Sequence, residues 1–285
     1  MTVFARTLGP YEGPLVPRRR RFLVVWRASR RRVFSSKILT AFYALTFAPI
    51  LIALVYTYLR YNLPVLETLE IAPTALPPVD ARFFFNFLRL QGVFAFLIAA
   101  FVGPGLVAPD LADNALALYL ARPLSRAEYV LGKLTVLLVL LSAMTWVPLA
   151  ALWGLQASLD PEPVAAADLR TLAAIVAGSA LWIGLISLLA LAASAWVRWK
   201  LLAAALLFGF FFISRAMGEI LNLNFRTHWG DVVSPGKQIV ALWEGLFFGT
   251  AGGLPLPVAA LLLAALAGLC LLVLHLKLRA YEVVR

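Results

Sequence analysis

The amino-acid sequence predicts an all-α polytopic membrane protein with six transmembrane helices and with both termini inside the cell. Three observations lead to this fold class. Hydrophobic residues make up 62% of the 285 residues and charged residues only 14%, whereas soluble domains are about half apolar and a quarter charged. Six apolar runs are each long enough to cross a bilayer as a helix. The basic residues, finally, concentrate on one side of these runs.

The six runs define the predicted spans in chain order. Each run must form a helix, because an open strand in lipid would leave its N–H and C=O groups unpaired. The fourth run is long and is predicted to be tilted or kinked. We place the spans at about 38–58, 83–106, 134–155, 172–197, 201–221 and 256–276. The chain then divides into a cytoplasmic tail with an amphipathic helix, residues 1–37, and a six-helix transmembrane domain, residues 38–285.

The distribution of charge sets the predicted orientation. With the amino terminus inside, the inner segments hold 18 of the 25 basic residues and five of the 14 acidic residues, as the positive-inside rule requires. These segments are 1–37, 107–133, 198–200 and 277–285. The net charge of +11 therefore reflects orientation in the membrane, and we expect no nucleic-acid partner.

The sequence carries no motif for chemistry of its own. Its one cysteine, Cys270, excludes a disulfide within the chain, and its two histidines are far apart in sequence. The phosphate-binding pattern GxxxxGK[ST] is absent, so the chain does not bind ATP in that way. We therefore expect no catalytic residue, no metal site and no cofactor bound by this chain.

The amino-terminal tail combines basic and apolar residues. Eight arginines occur between residues 18 and 37, and Phe22, Val25, Trp26, Ser29 and Val33 fall at helical spacing. This pattern predicts an interfacial helix whose basic face contacts anionic lipid of the inner leaflet. The residues predicted to lie at this interface are Arg18, Arg19, Phe22, Trp26 and Arg30. Membrane lipids are accordingly among the expected partners.

A short charged segment separates the second span from the third. Pro109 suits the first turn of a helix because it lacks an N–H donor. Asp110 and Asp113 suit the positive end of a helix dipole, and Pro123 should end the helix. The sequence therefore predicts an amphipathic helix at about 108–121.

Ser125 and Glu128 have the spacing of a capping box, which predicts the start of the next helix. The helix before them is too short to be stable alone, so it needs a surface to contact. Two interpretations are open. The helix lies on the lipid headgroups, or it docks on a cytoplasmic partner through the opposite charges at its two ends.

The sequence APDLADNALALYLARPLSRAEYVLGKL, residues 108–134, resembles the signature of ABC-2 type permeases, the six-span membrane subunits of ABC exporters. In that family an acidic residue after the second span precedes a short coupling helix, an SRP-x-SR-like turn, a tyrosine and a Gly-Lys pair. The matching residues are Asp110, Asn114, Ala115, Leu116, Tyr119, Leu120, Arg122, Pro123, Ser125, Arg126, Tyr129, Gly132 and Lys133. Ala121 departs from the pattern, because serine is commoner there.

The resemblance implies that this segment is a coupling helix seated in a groove of a separate ATP-binding subunit. The residues implied to couple are Asp110, Asp113, Asn114, Leu116, Tyr119, Arg122 and Arg126. ATP and Mg would then be bound by the partner subunit, whose closure would shift the permease between two states. The resemblance also implies an elbow helix in the amino-terminal tail and a second permease copy, in a homodimer or a heterodimer.

Residues 222–255, before the sixth span, are rich in Gly, Pro and aromatic residues. Their apolar stretch IVALWEGLFF is too short to cross the membrane. One interpretation is an extracellular loop with an interfacial helix. The other, implied by the ABC-2 resemblance, is a set of short re-entrant helices that cap the outer exit. Trp229, Trp243 and Phe247 are expected at headgroup level.

Charged residues near or within the predicted spans are candidates for a translocation path or its outer gate. They are Arg89, Arg215, Glu219 and Glu244. Arg215 and Glu219 lie four residues apart on one helix face and can pair, which is equally expected of a purely structural pair. Arg89 is predicted to face the protein interior.

Together these observations favour a permease that exports a hydrophobic or amphiphilic substrate across the bacterial cytoplasmic (inner) membrane, using ATP hydrolysed by a separate subunit. Two alternatives remain open. The first is a secondary transporter driven by an ion gradient, a class that typically shows internal repeats and midplane acidic residues; the sequence shows no repeat and no acidic residue clearly at the midplane. The second is a membrane assembly factor without transport activity.

Overall fold

The computed structural model describes residues 17, 21–34, 36–68, 70, 72, 76–113, 125–160, 166–226, 229–250 and 252–279. Within these ranges the chain is helical and contains no strand. Its α-helices are α1 (Arg21–Val33), α2 (Lys37–Leu45), α3 (Ala48–Tyr61), α4 (Leu63–Thr68), α5 (Ala81–Val102), α6 (Pro104–Ala112), α7 (Arg126–Met144), α8 (Trp146–Leu159), α9 (Ala166–Trp196), α10 (Lys200–Phe225), α11 (Pro235–Phe248) and α12 (Leu256–Arg279), and a 3-10 helix covers Trp229–Val233.

Six helical stretches are long and apolar enough to span a membrane, as the sequence predicted. Spans 1, 2 and 3 each join two helices, whereas spans 4, 5 and 6 lie within α9, α10 and α12. Their bounds are Lys37–Tyr61, Ala81–Ala112, Arg126–Leu159, Leu169–Trp196, Lys200–Phe225 and Leu256–Leu278. These helices define a multi-pass membrane protein. We call the two ends of the bundle the α1 end and the α11 end, after the helix that lies at each.

Burial separates central from peripheral spans. The most apolar parts of spans 2 and 4 are 61% and 56% buried, whereas those of spans 1, 5 and 6 are 17%, 22% and 17% buried. Span 4 packs against spans 2, 3, 5 and 6 and against α11. The exposed apolar faces of the peripheral spans suit contact with lipid or with another membrane chain.

The first three spans are interrupted, and each interruption lies next to a proline. The breaks fall at Thr46 and Phe47, at Gly103 and at Thr145, close to Pro49, Pro104 and Pro148. Proline has no N–H to continue the helical hydrogen bonds, so a break is expected there. The fourth span, predicted to be tilted or kinked, is instead one uninterrupted helix.

Polar side chains bind the backbone groups at two of these breaks. The Gln91 amide donates a hydrogen bond of 3.1 Å to the Thr46 carbonyl. The Ser194 hydroxyl of span 4 accepts from the N–H groups of Val107 and Ala108, at 3.3 and 2.8 Å, and donates to the Pro104 carbonyl at 3.0 Å. Unpaired backbone groups are costly in lipid, so these contacts stabilise the interrupted spans.

The end of span 2 differs from the sequence prediction. We predicted that the span ends near residue 106 and that a separate helix begins at 108, but α6 continues to Ala112. Pro109 lies inside α6 rather than in its first turn, because the helix begins earlier, at Pro104. Helix α6 therefore includes residues 108–112, the first residues of the predicted coupling helix.

The predicted capping box at Ser125 and Glu128 is confirmed, and the helix that it starts begins at Arg126, before the predicted start of the third span near residue 134. Ser125 is the N-cap of α7, and its hydroxyl accepts a hydrogen bond of 3.2 Å from the Glu128 N–H. The Glu128 carboxylate in turn accepts one of 2.7 Å from the Ser125 N–H. This reciprocal capping box satisfies two N–H groups at the helix start.

Candidate functional site

A buried charged cluster joins spans 2 and 3 at the α1 end. The Asp110 carboxylate of α6 lies 2.7 Å from the Lys133 ammonium of α7 and accepts a hydrogen bond of 2.8 Å from the Tyr129 hydroxyl. Exposure is 2% for Asp110, 3% for Lys133 and 0% for Tyr129. A buried charge is costly unless it is paired, so this cluster holds the two spans in one arrangement.

Helix α1 packs against the same part of α7. Val25, Ser29 and Val33 form its buried face, as their helical spacing indicated. A Cβ atom at Gly132 would lie 2.7 Å from the Val25 Cβ and 2.8 Å from the Phe22 carbonyl oxygen. The close approach of α1 to α7 therefore requires glycine at residue 132, directly beside the charged cluster.

The predicted interfacial residues lie around this contact. Phe22 and Trp26 are half-buried, whereas Arg30 is exposed and its guanidinium carbon lies 5.0 Å from the Trp26 ring centre. Arg18 and Arg19 lie outside the described residues. Helix α1 thus places an apolar face on the protein, while Arg27 and Arg30 remain exposed.

The predicted coupling residues fall into three groups. Asp110 is buried and bound by Lys133 and Tyr129, so its carboxylate is not exposed for direct contact with a partner. Asp113 is exposed at the end of α6, and Arg126 is half-buried at the start of α7. The remaining predicted residues lie outside the described ranges: Asn114, Leu116, Tyr119 and Arg122.

Two adjoining cavities lie towards the α11 end, with volumes of about 300 and 320 Å³. Arg89 of span 2 and Arg215 of span 5 line both cavities, together with Gly236 and Val240 of α11. Both arginine side chains are exposed. We call the two cavities together the arginine cavity, because these two arginines lie where they meet.

The walls of the arginine cavity differ on the two sides of the arginines. One side is apolar and aromatic, and its large side chains are Phe96, Trp182, Phe211, Phe212 and Trp243. The other side is polar, and its charged residues besides the arginines are Asp231, Lys237 and Glu244. The arginine cavity is therefore apolar on one side of the two arginines and polar on the other.

The pair predicted between Arg215 and Glu219 is not formed. Glu219 instead binds Lys237 at 3.1 Å, and Lys237 also binds Asp231 at 3.3 Å. The Asn222 amide donates a hydrogen bond of 2.9 Å to the Asp231 carboxylate. Hydrogen bonding to Glu219 stabilises the charged form of Lys237 and raises its pKa. Helical spacing allowed the first pair, but α11 brings another cation to Glu219.

Glu244 and the end of α11 are held by their own contacts. The Glu244 carboxylate accepts a hydrogen bond of 3.0 Å from the Gly252 N–H. Arg170 of span 4 donates to the carbonyls of Gly245 and Leu246 at 3.1 and 3.0 Å. A cation at these terminal carbonyls is favourable because they form the negative end of the helix.

Trp243, whose predicted position at headgroup level stays a prediction, is buried between spans 2 and 4. Its indole N–H donates a hydrogen bond of 2.9 Å to the Gly178 carbonyl. A Cβ atom would lie 2.9 Å from its ring at Gly178 and 2.8 Å from it at Gly92. Gly178 is about 14 Å along the helix from Leu169, at 1.5 Å per residue. Helix α11 is therefore inserted among the spans, and Phe247 is buried with it.

Several residues of the α11 end were not found by sequence reasoning. Lys237 and Asp231 gave no signal, because their partners lie on other helices and only the fold brings them together. Gly92 and Gly178 did give a signal that could have been used. A glycine inside an apolar helix is destabilising on its own, and its presence there often marks the close approach of another chain segment.

The fold and these two regions define an α-helical multi-pass membrane protein with a buried charged cluster at one end and an amphipathic cavity towards the other. No group of three or more His, Cys, Asp or Glu side chains is placed to hold a metal ion in the part of the chain that the structure describes. No family model matches the chain. No curated protein matches it significantly in sequence.

Proposed function

We propose that this chain is the membrane-spanning subunit of an ABC-2 type exporter in the bacterial cytoplasmic membrane. It would act with a separate ATP-binding subunit, which binds ATP and Mg, and with a second permease copy in a homodimer or a heterodimer. The six apolar helices support this proposal, and so does the resemblance of residues 108–134 to the ABC-2 signature. Helix α1, packed against α7, corresponds to the elbow helix of that family.

The observation that carries the proposal is the buried pair of Asp110 and Lys133. The two residues flank the segment 114–124, to which the proposal assigns docking on the ATP-binding subunit. Because they are 2.7 Å apart and buried, a force on that segment acts on spans 2 and 3 together. A mechanical input from outside the membrane would therefore reach the centre of the bundle, where span 2 packs against span 4.

In this proposal the α1 end faces the cytoplasm and the α11 end faces outward. Arg89, Arg215, Glu219 and Glu244 then belong to the outer part of the translocation path or to its gate. Helix α11 would close that path as a re-entrant helix, which its burial among spans 2, 4, 5 and 6 supports. The cargo is hydrophobic or amphiphilic, and the chain itself catalyses no reaction.

Copurification tests the proposal. The chain is coexpressed with a candidate ABC-type ATP-binding subunit and extracted in detergent, and we expect a complex with two copies of each. Tyr119→Ala and Arg122→Ala, in the proposed docking segment, should reduce the yield of complex at least ten-fold. Arg82→Ala, at the opposite end of the bundle, serves as the control and should leave the yield unchanged. A monodisperse permease that retains no ATPase in any detergent would overturn the proposal in favour of a secondary transporter or an assembly factor.

A further inference from the structure

We infer that the arginine cavity binds an anionic amphiphile, a molecule with a phosphate-type or carboxylate headgroup and an apolar tail. The headgroup would lie at Arg89 and Arg215, and the tail would lie against the aromatic wall. That this molecule is the exported cargo rests on the function proposed above. That the cavity binds it does not, because binding is measurable on this chain without an ATP-binding subunit.

The two arginines have no acidic partner among the described residues. Within those ranges Arg215 makes no ion pair or hydrogen bond, and the guanidinium of Arg89 interacts only with the Phe85 ring, whose centre is 5.7 Å away. Two other cations near the cavity are matched: Lys237 binds two carboxylates, and Arg170 binds two helix-terminal carbonyls. Among the described residues, the guanidinium groups of Arg89 and Arg215 therefore face the arginine cavity without a direct ion pair.

The acidic residues of the cavity make contacts with groups other than the two arginines. Asp231 is bound by Lys237 and by the Asn222 amide, and Glu244 accepts the hydrogen bond from the Gly252 N–H. These carboxylates therefore do not neutralise the arginines through direct contact. A ligand that completes the site must bring hydrogen-bond acceptors, because guanidinium groups have donors and no acceptor, and anionic oxygens are the strongest acceptors for them.

The position of Arg89 and Arg215 within apolar helices raises the free-energy cost of leaving their charges unpaired. Arg89 is about 12 Å from Ala81 at the α11 end of α5, and Arg215 is about 15 Å from Phe225 at the same end of α10, at 1.5 Å per residue. Both arginines lie within helices long enough to span a membrane, where a cation is costly unless it is paired or reaches water. An anionic group between them would form charge-assisted hydrogen bonds, which a guanidinium can make in pairs.

The aromatic wall of the cavity indicates that the ligand also has an apolar tail. Phe96 and Phe211 are 4.8 Å apart between ring centres, and Phe211 is 5.7 Å from Trp182. The wall continues to Phe212, which is 66% exposed on the surface of span 5. An inorganic anion would leave this apolar surface without a partner. A tailed ligand would cover it and extend into the surrounding membrane.

Lipid binding to the purified full-length chain tests the inference. The protein, without an ATP-binding subunit, is held in a neutral maltoside detergent and titrated by native mass spectrometry. The probes are dioleoyl phosphatidic acid, dioleoyl phosphatidylcholine, dioleoylglycerol and inorganic phosphate. We expect phosphatidic acid to bind at least ten-fold more tightly than the two lipids with the same tails. Inorganic phosphate should not bind at the same concentrations.

Substitutions locate the binding. Arg89→Gln and Arg215→Gln should each weaken phosphatidic acid binding about ten-fold or more, as expected for loss of a hydrogen bond between charged groups. Arg82→Gln removes the same charge from α5 at a residue that lines neither cavity, and it should have no effect. Phe96→Ala should weaken binding of phosphatidic acid while preserving its preference over phosphatidylcholine. Each variant is first checked for a single symmetrical peak in gel filtration.

Several outcomes would overturn the inference. Equal binding of phosphatidic acid and phosphatidylcholine would show that charge is not recognised, and equal binding of inorganic phosphate would show that the tail is not needed. An effect of Arg82→Gln as large as that of Arg89→Gln would show general attraction to a basic surface. If the wild-type chain binds no phosphatidic acid but copurifies with the ATPase, only this inference is overturned. If it binds phosphatidic acid but retains no ATPase, only the proposed function is overturned.

Discussion

The Asp110 carboxylate and the Lys133 ammonium lie 2.7 Å apart inside the bundle, and each side chain is 3% exposed. The two residues belong to different spans and lie on either side of the segment 114–124. Their contact therefore fixes the position of the end of span 2 relative to the start of span 3. Tyr129 completes the site with a hydrogen bond of 2.8 Å to the same carboxylate oxygen.

Asp110→Asn should strongly destabilise the protein. The change removes the negative charge that pairs with the buried Lys133 ammonium, and breaking a buried ion pair typically costs about 3–5 kcal/mol. The measurement is the apparent melting temperature of the detergent-solubilised protein, followed by fluorescence-detected gel filtration. Asp113→Asn is the matched control, because Asp113 is exposed at the end of the same helix, and it should leave the melting temperature almost unchanged.

Replacing the whole pair tests whether charge itself is required for stability. Asp110→Leu combined with Lys133→Met should recover most of the stability lost in Asp110→Asn, because apolar residues of similar size often replace a buried ion pair without loss. If Asp110→Asn alone is as stable as the wild type, the two groups are not buried as a pair.

Gly132→Ala should loosen α1 from α7. The added methyl group would meet the Val25 side chain and the Phe22 carbonyl oxygen at under 3 Å and would push the helix away. We expect faster tryptic cleavage after Arg27 and Arg30, measured by mass spectrometry of the products. Gly154→Ala adds the same methyl group with nothing within 4 Å, so cleavage in α1 should be unaffected. Unchanged protection in Gly132→Ala would contradict the observed packing of α1.

Gly178→Ala should destabilise the contact between span 4 and α11. The new Cβ would lie 2.9 Å from the buried Trp243 ring, and overpacking of this kind costs about 1–3 kcal/mol. Gly184→Ala in the same helix has open space around the added methyl group and should be neutral or stabilising, because alanine favours a helix over glycine. The two variants are compared by melting temperature, and a smaller loss in Gly178→Ala than in Gly184→Ala would rule out the buried position of Trp243.

Lys237→Gln should lower stability by an amount that is constant near neutral pH and decreases under alkaline conditions. Contact with Glu219 raises the pKa of Lys237 above its ordinary value of 10.5. A raised pKa in the folded state stabilises the protein below the ordinary value and ceases to do so as pH rises through the raised value. The difference in melting temperature between the wild type and Lys237→Gln should therefore be constant from about pH 7 to pH 9.5 and shrink above about pH 10.5. A difference that grows with pH would contradict the ion cluster.

The hydrophobic pattern was sufficient to predict the number and class of the spans, because length and apolar content alone decide whether a helix can cross a bilayer. Local capping signals were equally reliable, as Ser125 and Glu128 show. The end of span 2 was predicted less accurately. Pro109 was interpreted as a helix start, whereas α6 includes it without ending, since tertiary contacts to Ser194 hold neighbouring backbone groups.

The contacts towards the α11 end could not be predicted from spacing. Arg215 and Glu219 satisfy the helical rule for a pair, yet Lys237 from α11 binds Glu219. The residue type of Trp243 did not indicate its packing, whereas glycines on two spans make room for it in the protein interior. Both contacts were missed for one reason. The location of α11 among the spans is a property of the whole fold, and no local pattern encodes it.

Ser194 of span 4 binds the part of span 2 that follows the break at Gly103. Its single hydroxyl engages two N–H groups and one carbonyl of α6. Sliding α6 by a fraction of a turn would break all three hydrogen bonds and replace none of them. No equivalent set of groups lies one turn away, because Pro104 has no N–H and the N–H groups nearer the end of α6 bond within the helix. We therefore expect the part of span 2 after Gly103 to move together with span 4.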